Sequence, residues 1–303
     1  MSLWRVTVPA TTSNLGPGFD ALGMAVAIEN TIVARPAPTL SITVSGEGAE
    51  SLPRDERNLM VQAYLRGCGD VAHPPPALQF ECHHAIPLAR GLGSSAAAII
   101  AGLLLANAVT RERLGRTRVL ELATEMEGHP DNAAPALLGG LQASVTSDGK
   151  VLAVPVRPLV LPRVVLFVPS FEMKTADARA VLPPTLTRAE AVHNISRTAL
   201  LVAALVAGDT SALHVATQDV LHQPARAKLF PAMFRIFAAA REAGALAAWL
   251  SGAGSTLATF TDASSAERVG AAMVARALGD GVVGHAIVTD VNTTGARCFE
   301  AEA

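Results

Sequence analysis

The sequence predicts an α+β protein built from two parts, residues 1–157 and 158–303. The chain has 303 residues, of which 50% are hydrophobic and 17% charged, so each part can bury a core and disorder is not expected. The second part shows the order strand, helices, strand, strand, helix, strand, which suits a ferredoxin-like α+β sandwich. In the first part, strands and helices surround a glycine-rich loop, and Pro155 and Pro158 mark the junction.

The first part opens with an alternating, β-branched segment at residues 5–8, which predicts a strand that Pro9 should end. Polar residues, glycines and prolines from 9 to 20 predict a structured loop. The patterns further along predict strands at 24–34 and 40–44, a helix at 58–66, a strand at 78–83, helices at 95–109, 117–126 and 131–138, and a strand at 141–146.

The elements of the second part are predicted in the same way, from apolar periodicity and turn residues. Its predicted elements are a strand at 164–168, helices at 189–207, 211–221 and 230–243, strands at 246–250 and 257–260, a helix at 264–278, and strands at 285–289 and 296–300.

Charge and cysteine content exclude several classes of function. The net charge is −2 and no basic tract is present, so nucleic acid is a poor candidate partner. Three scattered cysteines without a CxxC pair favour a reducing, cytoplasmic location. The first residues lack the apolar segment of a signal peptide, and the most apolar run, 96–109, is too short to span a bilayer. We therefore expect no membrane partner.

The glycine-rich segment PLARGLGSSAAA at residues 87–98 is the most informative stretch. Glycines let the backbone approach a ligand closely, and the helix that follows presents free N–H groups to a phosphate. Ser94 and Ser95 add hydroxyl groups that can meet phosphate or Mg²⁺. Neither the Walker motif nor the dinucleotide-binding GxGxxG motif is present. The segment predicts a phosphate site, and a simple turn capped by a serine is the alternative.

This segment resembles the phosphate loop of the GHMP kinases. Two further stretches stand in the order expected of that family, PATTSNLGPGFD at 9–20 and SGAGST at 251–256. The resemblance covers essentially the whole chain and implies the two-domain GHMP kinase fold, with an N-terminal ribosomal-S5-like α/β domain at 1–157 and a C-terminal ferredoxin-like domain at 158–303. It also implies ATP binding by Asn58, Pro87, Arg90, Gly91, Leu92, Gly93, Ser94, Ser95, Ala96, Gly252 and Gly254.

Within that family, four stretches are similar to homoserine kinases. They are the opening NLGPGFDALGMA, EGHPDNAAP at 127–135, KTADAR at 174–179 and QDVLHQPAR at 218–226. The resemblance implies phosphorylation of L-homoserine by ATP in threonine biosynthesis, and a homodimer. It implies two catalytic residues, Asp131 and His129, and the substrate-binding residues Asn14, Asp20, Thr175, Arg179 and Arg226.

The chemistry of homoserine agrees with these residue types. Its carboxylate suits the planar guanidinium of Arg179 or Arg226, and its ammonium suits oxygens of Asp20 or Asn14. Asp131 could accept the hydroxyl proton or simply orient the hydroxyl. Each residue also has a structural alternative, since carboxylates and amides cap turns and helices and arginines are mostly solvated.

The metal site is less well defined by the sequence. Glu121 and Glu125 are four residues apart and share a helix face. Alignment of the segment on Asp131 selects Glu121 to join Ser95 at Mg²⁺. Glu125 or Glu127 takes that role if the register differs, and a solvated acidic face is the alternative.

Two other functions remain open at this point. One is another GHMP kinase, acting on mevalonate or a related alcohol, in which Asp20 and Asn14 would have no ammonium to bind. The other is a non-catalytic relative that only binds a ligand. The intact loop residues Gly91, Gly93 and Ser95 disfavour the second possibility.

Overall fold

The structure, a computed structural model, describes residues 2–302. The strands are β1 (Ser2–Ser13), β2 (Leu22–Pro36), β3 (Ser41–Gly46), β4 (Leu78–His84), β5 (Leu141–Ser147), β6 (Lys150–Val156), β7 (Arg163–Pro169), β8 (Ala245–Leu250), β9 (Leu257–Thr261), β10 (Gly284–Thr289) and β11 (Arg297–Glu302). The helices are α1 (Leu59–Asp70), α2 (Ser94–Val109), α3 (Gly115–Glu127), α4 (Pro130–Leu138), α5 (Thr175–Ala180), α6 (Arg188–Ala207), α7 (Leu213–Ala216), α8 (Gln223–Arg226), α9 (Met233–Glu242) and α10 (Ala266–Gly279).

The first sheet has seven strands in the order β11-β1-β2-β4-β3, with β5 pairing to β2 and β6 pairing to β5. β1 runs antiparallel to β2 from Trp4 opposite Ala34 to Ser13 opposite Gly23. The expectation that Pro9 ends β1 is wrong. The register shifts between Pro9 and Ala10, and such an irregularity accommodates a residue that has no N–H for the ladder.

Helix α2 forms the centre of the first core. Ten of its residues are buried, among them Ile99, Ile100 and Leu103, which agrees with its reading as a buried helix. It packs against α1, and a Cβ atom on Gly102 would collide with the carbonyl oxygen of Met60. Glycine at 102 therefore allows the two helix backbones to approach each other.

The second sheet has the order β10-β7-β9-β8, and all its pairs are antiparallel. Helices α9 and α10 pack against it, and they bury Phe167 of β7 with Met233, Ile236 and Met273. The α+β fold class expected from the sequence is thereby confirmed. No helix within residues 2–302 has both the length and the apolar character needed to cross a membrane.

The structure differs from the expectations for the second part in several places, and the short helices α5 and α8 were not expected. β11 pairs with β1, so the range 158–303 contains a strand that belongs to the first sheet. The prediction of one helix at 211–221 is wrong, because the structure has a 3-10 turn (Thr210–Ala212) followed by the short helix α7, which ends at Ala216. Beyond them the Asp219 carboxylate accepts hydrogen bonds from the backbone N–H groups of Leu221, His222 and Gln223, and such bonds compete with helix formation.

In the first part, strand β6 was not expected, because Pro155 and Pro158 indicated a junction.

Candidate active site

A cleft of about 530 Å³ lies where both parts of the chain meet. The end of β1, the glycine-rich loop and the connection from α3 to α4 form one side, while α5, Arg226 and the turn after β8 form the other. The lining residues are Ser13, Asn14, Asp20, Ala89, Gly91, Gly93, Ser94, Ser95, Met126, Glu127, His129, Asp131, Asn132, Met173, Lys174, Thr175, Arg179, Arg226, Gly252, Ala253 and Gly254.

The glycine-rich loop leads directly into α2 and is held from both sides. Gly91 and Gly93 have φ angles of 73° and 67°, which glycine adopts without the penalty that a Cβ imposes. A Cβ on Gly91 would meet the carbonyl of Ser251, and one on Gly93 would meet the Thr11 hydroxyl. The first N–H groups of a helix have no intrahelical partner, so the start of α2 at Ser94 can bind phosphate oxygens.

Four of the other residues expected at ATP support the loop and do not line the cleft. Pro87, Leu92 and Ala96 are buried, so they support the loop from beneath. Arg90 donates to the carbonyl oxygens of Leu88, Pro169 and Ser170, so its guanidinium braces the loop against the end of β7.

Asn58 lies outside the cleft. Its side chain caps α1 by accepting from the N–H of Met60 at 3.0 Å, and it donates to the carbonyl of Pro53 at 2.8 Å. Neither contact points to a nucleotide, so its role at adenine stays a prediction.

The structure differs from the expectation that Glu121 lies beside Ser95. Glu121 accepts a hydrogen bond from Arg118 at 3.1 Å and does not line the cleft. Glu127, one of the alternatives, lines the cleft and lies close to the Ser95 hydroxyl. The reason is helix geometry, because six residues of α3 separate the two carboxylates by about 9 Å along the axis.

Glu127 has the features of a metal ligand. Its Oε1 is buried and has no hydrogen-bond partner among residues 2–302. Burial raises the pKa of this carboxyl, and the nearby Ser95 hydroxyl opposes that shift. A carboxylate and a hydroxyl are oxygen donors of the kind that Mg²⁺ prefers. The residues present therefore fit a Mg²⁺ ion, which would provide the buried oxygen with a partner.

Asp131 lies in the first turn of α4 and is 1% exposed. Its Oδ1 lies 2.5 Å from Nδ1 of His129 and accepts from Asn132 at 3.2 Å. The hydrogen bond with Asp131 raises the pKa of His129, with burial opposing. Oxygen or nitrogen atoms of Asp20, His129 and Asp131 all lie within 4.8 Å of one another. Asp20, which is far from His129 and Asp131 in the sequence, thus meets both of them at one point of the cleft.

Charged groups of opposite sign stand together around Asp20. Arg179 donates to both carboxylate oxygens of Asp20, at 2.9 and 3.1 Å. Asn14 accepts from the N–H of Asp20 at 3.1 Å and donates to the carbonyl of Gly252 at 3.0 Å. Arg226 is 2% exposed, and burial lowers its pKa to about 10. The ring of Phe19 lies 5.5 Å from the guanidinium of Arg179 and 5.4 Å from that of Arg226.

Most of the expected site residues therefore share one cleft, including Thr175 at the start of α5 and both Gly252 and Gly254. Sequence reasoning did not single out Asn132, which accepts from Thr11 at 2.7 Å and donates to Ser13 at 3.1 Å. The signal was its position next to Asp131 in the EGHPDNAAP stretch.

Known kinases are similar to this chain in sequence and in fold. Residues 58–140 match the GHMP kinases N terminal domain and residues 201–279 match the GHMP kinases C terminal domain. The homoserine kinase of Nostoc punctiforme is 42% identical over 99% of both chains, and that of Moorella thermoacetica is 44% identical over 89% of this chain and 91% of its own. The crystal structure of homoserine kinase from Cytophaga hutchinsonii is 29% identical, with a TM-score of 0.88 over 98% of this chain and 97% of that one.

The mevalonate kinase of L. major, solved in complex with R-mevalonate, has a TM-score of 0.71 over 95% of this chain and 96% of its own at 16% identity, which shows the shared fold alone. The two homoserine kinases, in contrast, exceed 40% identity over 89% or more of this chain, which identifies the branch of the family as well as the fold. The chain belongs to the GHMP kinase family, in its homoserine kinase branch.

Proposed function

We propose that the protein transfers the γ-phosphoryl group of ATP to the hydroxyl of L-homoserine, which yields ADP and O-phospho-L-homoserine for threonine biosynthesis. The observation that carries the proposal is the cleft itself. A phosphate-type loop at the start of α2 and a cluster of one carboxylate and two guanidinium groups, Asp20, Arg179 and Arg226, line the same space. Relatives that are named homoserine kinases cover nearly all of the chain.

The loop at Gly91–Gly93 and the first turn of α2 would bind the β- and γ-phosphates. Backbone N–H groups and the helix dipole favour negative charge there. Ser95 and Glu127 would hold Mg²⁺, which when bound neutralises phosphate charge. Burial of Glu127 supports its role, since a buried carboxylate gains from an opposite charge.

The charged cluster suits an amino acid zwitterion. The α-ammonium and α-carboxylate of homoserine are attached to the same carbon, so a matched Asp–Arg pair can exchange its internal ion pair for two contacts with the ligand. Asp20 and Asn14 would accept from the ammonium, while Arg179 and Arg226 would donate to the carboxylate. Thr175 offers a further hydroxyl to the same ligand.

Asp131 and His129 would act on the substrate hydroxyl. Positioning and electrostatics dominate phosphoryl transfer, and a hydroxyl held by the Asp131 carboxylate can be aligned with the γ-phosphate. The carboxylate can accept the proton as the O–P bond forms, or it can keep the hydroxyl in line. His129 would hold the carboxylate in place through their 2.5 Å contact.

The assay that tests the function measures ADP release with Mg²⁺ and ATP against L-homoserine, mevalonate, galactose and shikimate. We expect turnover with L-homoserine only, and none when Mg²⁺ is removed with a chelator. Turnover with a different alcohol would retain the kinase and overturn the roles of Asp20 and Arg179. Folded protein without any turnover would instead support a ligand-binding relative.

A substitution in the charged cluster gives a sharper test. Asp20→Asn should raise KM for L-homoserine about tenfold or more, because a charged partner of the ammonium is lost, while KM for ATP stays within about twofold. Initial rates at varied concentration of each substrate measure both constants. The matched control is Asp55→Asn, since Asp55 is an exposed carboxylate that pairs with its neighbour Arg57. Equal effects on both KM values would contradict the assignment.

We also propose that the enzyme is a cytoplasmic homodimer. The free, scattered cysteines support the location, and resemblance to the family supports the dimer. Light scattering after size exclusion measures the mass, and a value near 31.2 kDa would contradict the dimer.

A further inference from the structure

His222 is a fully buried histidine directly behind the charged cluster. It is 0% exposed and stands just before α8, whose last residue is Arg226. Its Nε2 lies 2.8 Å from the carbonyl oxygen of Gly16, and its Nδ1 lies 3.1 Å from Nη1 of Arg226. The ring of Phe19 packs on it with a centroid distance of 5.4 Å. His222 thus links the loop that carries Asp20 to an arginine of the cleft.

The contacts of this ring determine its proton. A guanidinium only donates hydrogen bonds, so Nδ1 must accept from Arg226. The carbonyl of Gly16 only accepts, so Nε2 must carry the hydrogen. Asp219 is the nearest carboxylate, but its Oδ2 is 3.7 Å from Nε2, too far for a hydrogen bond. Burial lowers the pKa of His222 to about 4, which agrees with a neutral ring near pH 7.

Three hydrogen bonds, including the one to His222, fix the guanidinium of Arg226. Nε donates to the carbonyl of Ala178 at 3.2 Å, and Nη1 donates to that of Gly252 at 2.8 Å as well as to His222. All three hydrogens on these two nitrogens then have acceptors. Among residues 2–302, Nη2 has no hydrogen-bond partner, and Arg226 lines the cleft. Nη2 is therefore the nitrogen that remains for a ligand.

We propose that His222 is a positioning residue for substrate recognition: its neutral ring fixes Arg226 so that Nη2 faces the carboxylate of the bound amino acid. The inference rests on the proposed function, because it assumes a carboxylate ligand in the cleft. It adds a residue that touches no substrate and acts only through Arg226. The discrimination between amino acids and simple amino alcohols should then depend on His222.

Two substitutions separate the two bonds of the ring. The amide of Asn occupies the position of Nδ1, so His222→Asn retains an acceptor for Arg226 and loses the bond to Gly16. The amide of Gln reaches the position of Nε2, so His222→Gln retains the donor to Gly16 and loses the acceptor. We expect His222→Gln to raise KM for L-homoserine about tenfold, with kcat and KM for ATP within about twofold. His222→Asn should stay within about threefold of the unsubstituted protein in KM for L-homoserine.

The substrate 3-aminopropan-1-ol, which is homoserine without its carboxylate, provides the second readout. The preference for L-homoserine over this amino alcohol should fall about tenfold in His222→Gln and persist in His222→Asn. His285→Gln serves as the control, because His285 is exposed on β10. Equal loss in both His222 variants, with KM for ATP rising too, would indicate a merely structural histidine and overturn the proposal. An unchanged KM for L-homoserine in His222→Gln would overturn it as well.

A measurement on the unsubstituted protein keeps the test independent of variant stability. Nitrogen-15 NMR of the histidine rings should show His222 as the neutral Nε2–H tautomer at pH 7. A protonated ring or the Nδ1–H tautomer would overturn the proposal. If the unsubstituted protein does not phosphorylate L-homoserine at all, the proposed function fails first, and that result is distinct from a failure of His222 to position Arg226.

Discussion

Replacing Asp131 with alanine is expected to lower kcat for L-homoserine by about 10²- to 10⁴-fold, the range in which a positioned acid or base contributes. The carboxylate is buried and is contacted by both His129 and Asn132, so its oxygens have a fixed direction. The loss should appear in kcat more than in the KM for ATP, because the phosphate loop does not depend on Asp131. Steady-state kinetics with both substrates measure this split.

The substitution Asp131→Asn removes the charge of the side chain and keeps its shape. The amide preserves the size of the side chain, so the helix start should survive, and thermal denaturation should show a folded protein. The pKa of His129 should fall toward its ordinary value, because the carboxylate that raises it is removed. In the unsubstituted protein this ring loses its proton only as pH rises through the raised pKa, and NMR titration of His129 detects the difference.

The control for Asp131 is Asp177→Asn, since Asp177 is an exposed carboxylate in the first turn of α5 and not a cleft residue. It should retain nearly full activity. Near-normal turnover of Asp131→Ala would refute the catalytic assignment, whatever the result for His129.

Glu127→Gln should produce the second large effect. We expect activity to fall about 10²-fold or more and to require a higher Mg²⁺ concentration, because a ligand charge worth several kcal/mol in phosphoryl transfer is removed. Thermal stability without nucleotide should be maintained or increased, since the amide removes the charge of a buried carboxylate whose Oε1 has no partner among residues 2–302. The increase in Tm that Mg²⁺ and ADP cause together should shrink, which measures binding without turnover.

The matched control for Glu127 is Glu121→Gln, on the same helix. Glu121 pairs with Arg118 outside the cleft, so its replacement should leave the Mg²⁺ dependence unchanged. If Glu121→Gln were impaired and Glu127→Gln were not, the metal assignment would return to the residue that sequence alignment selected.

These two glutamates show what the sequence could predict about the site. The phosphate loop was predictable because its requirements are local: glycine where φ is positive, and a helix immediately after it. The choice between Glu121 and Glu127 was not, because it depends on where α3 ends and turns at Gly128, whose φ is 88°. One or two turns of helix decide whether a carboxylate reaches Ser95.

The charged cluster shows a second limit. The residue types of Asp20 and Arg179 were predictable from the chemistry of an amino acid, but their direct pairing was not, because 159 positions separate them. His222 was part of a recognised stretch, yet nothing in the sequence indicated its bonds to Gly16 and Arg226. Likewise, a turn at Asp219 stands where a helix was expected, because the Asp219 carboxylate accepts hydrogen bonds from backbone N–H groups. The apolar periodicity of a sequence gives no information about such bonds.

The pairing of β11 with β1 has a consequence for synthesis on the ribosome. β1 carries Ser13 to the cleft at one end, while Arg5 and Val6 lie opposite residues of β11. Until residues 297–302 have left the exit tunnel, β1 has β2 as its single partner and an open edge that invites misassociation. A chain that is truncated before residue 297 and released from the ribosome should therefore be a preferred client of chaperones, although its phosphate loop and second sheet are already complete.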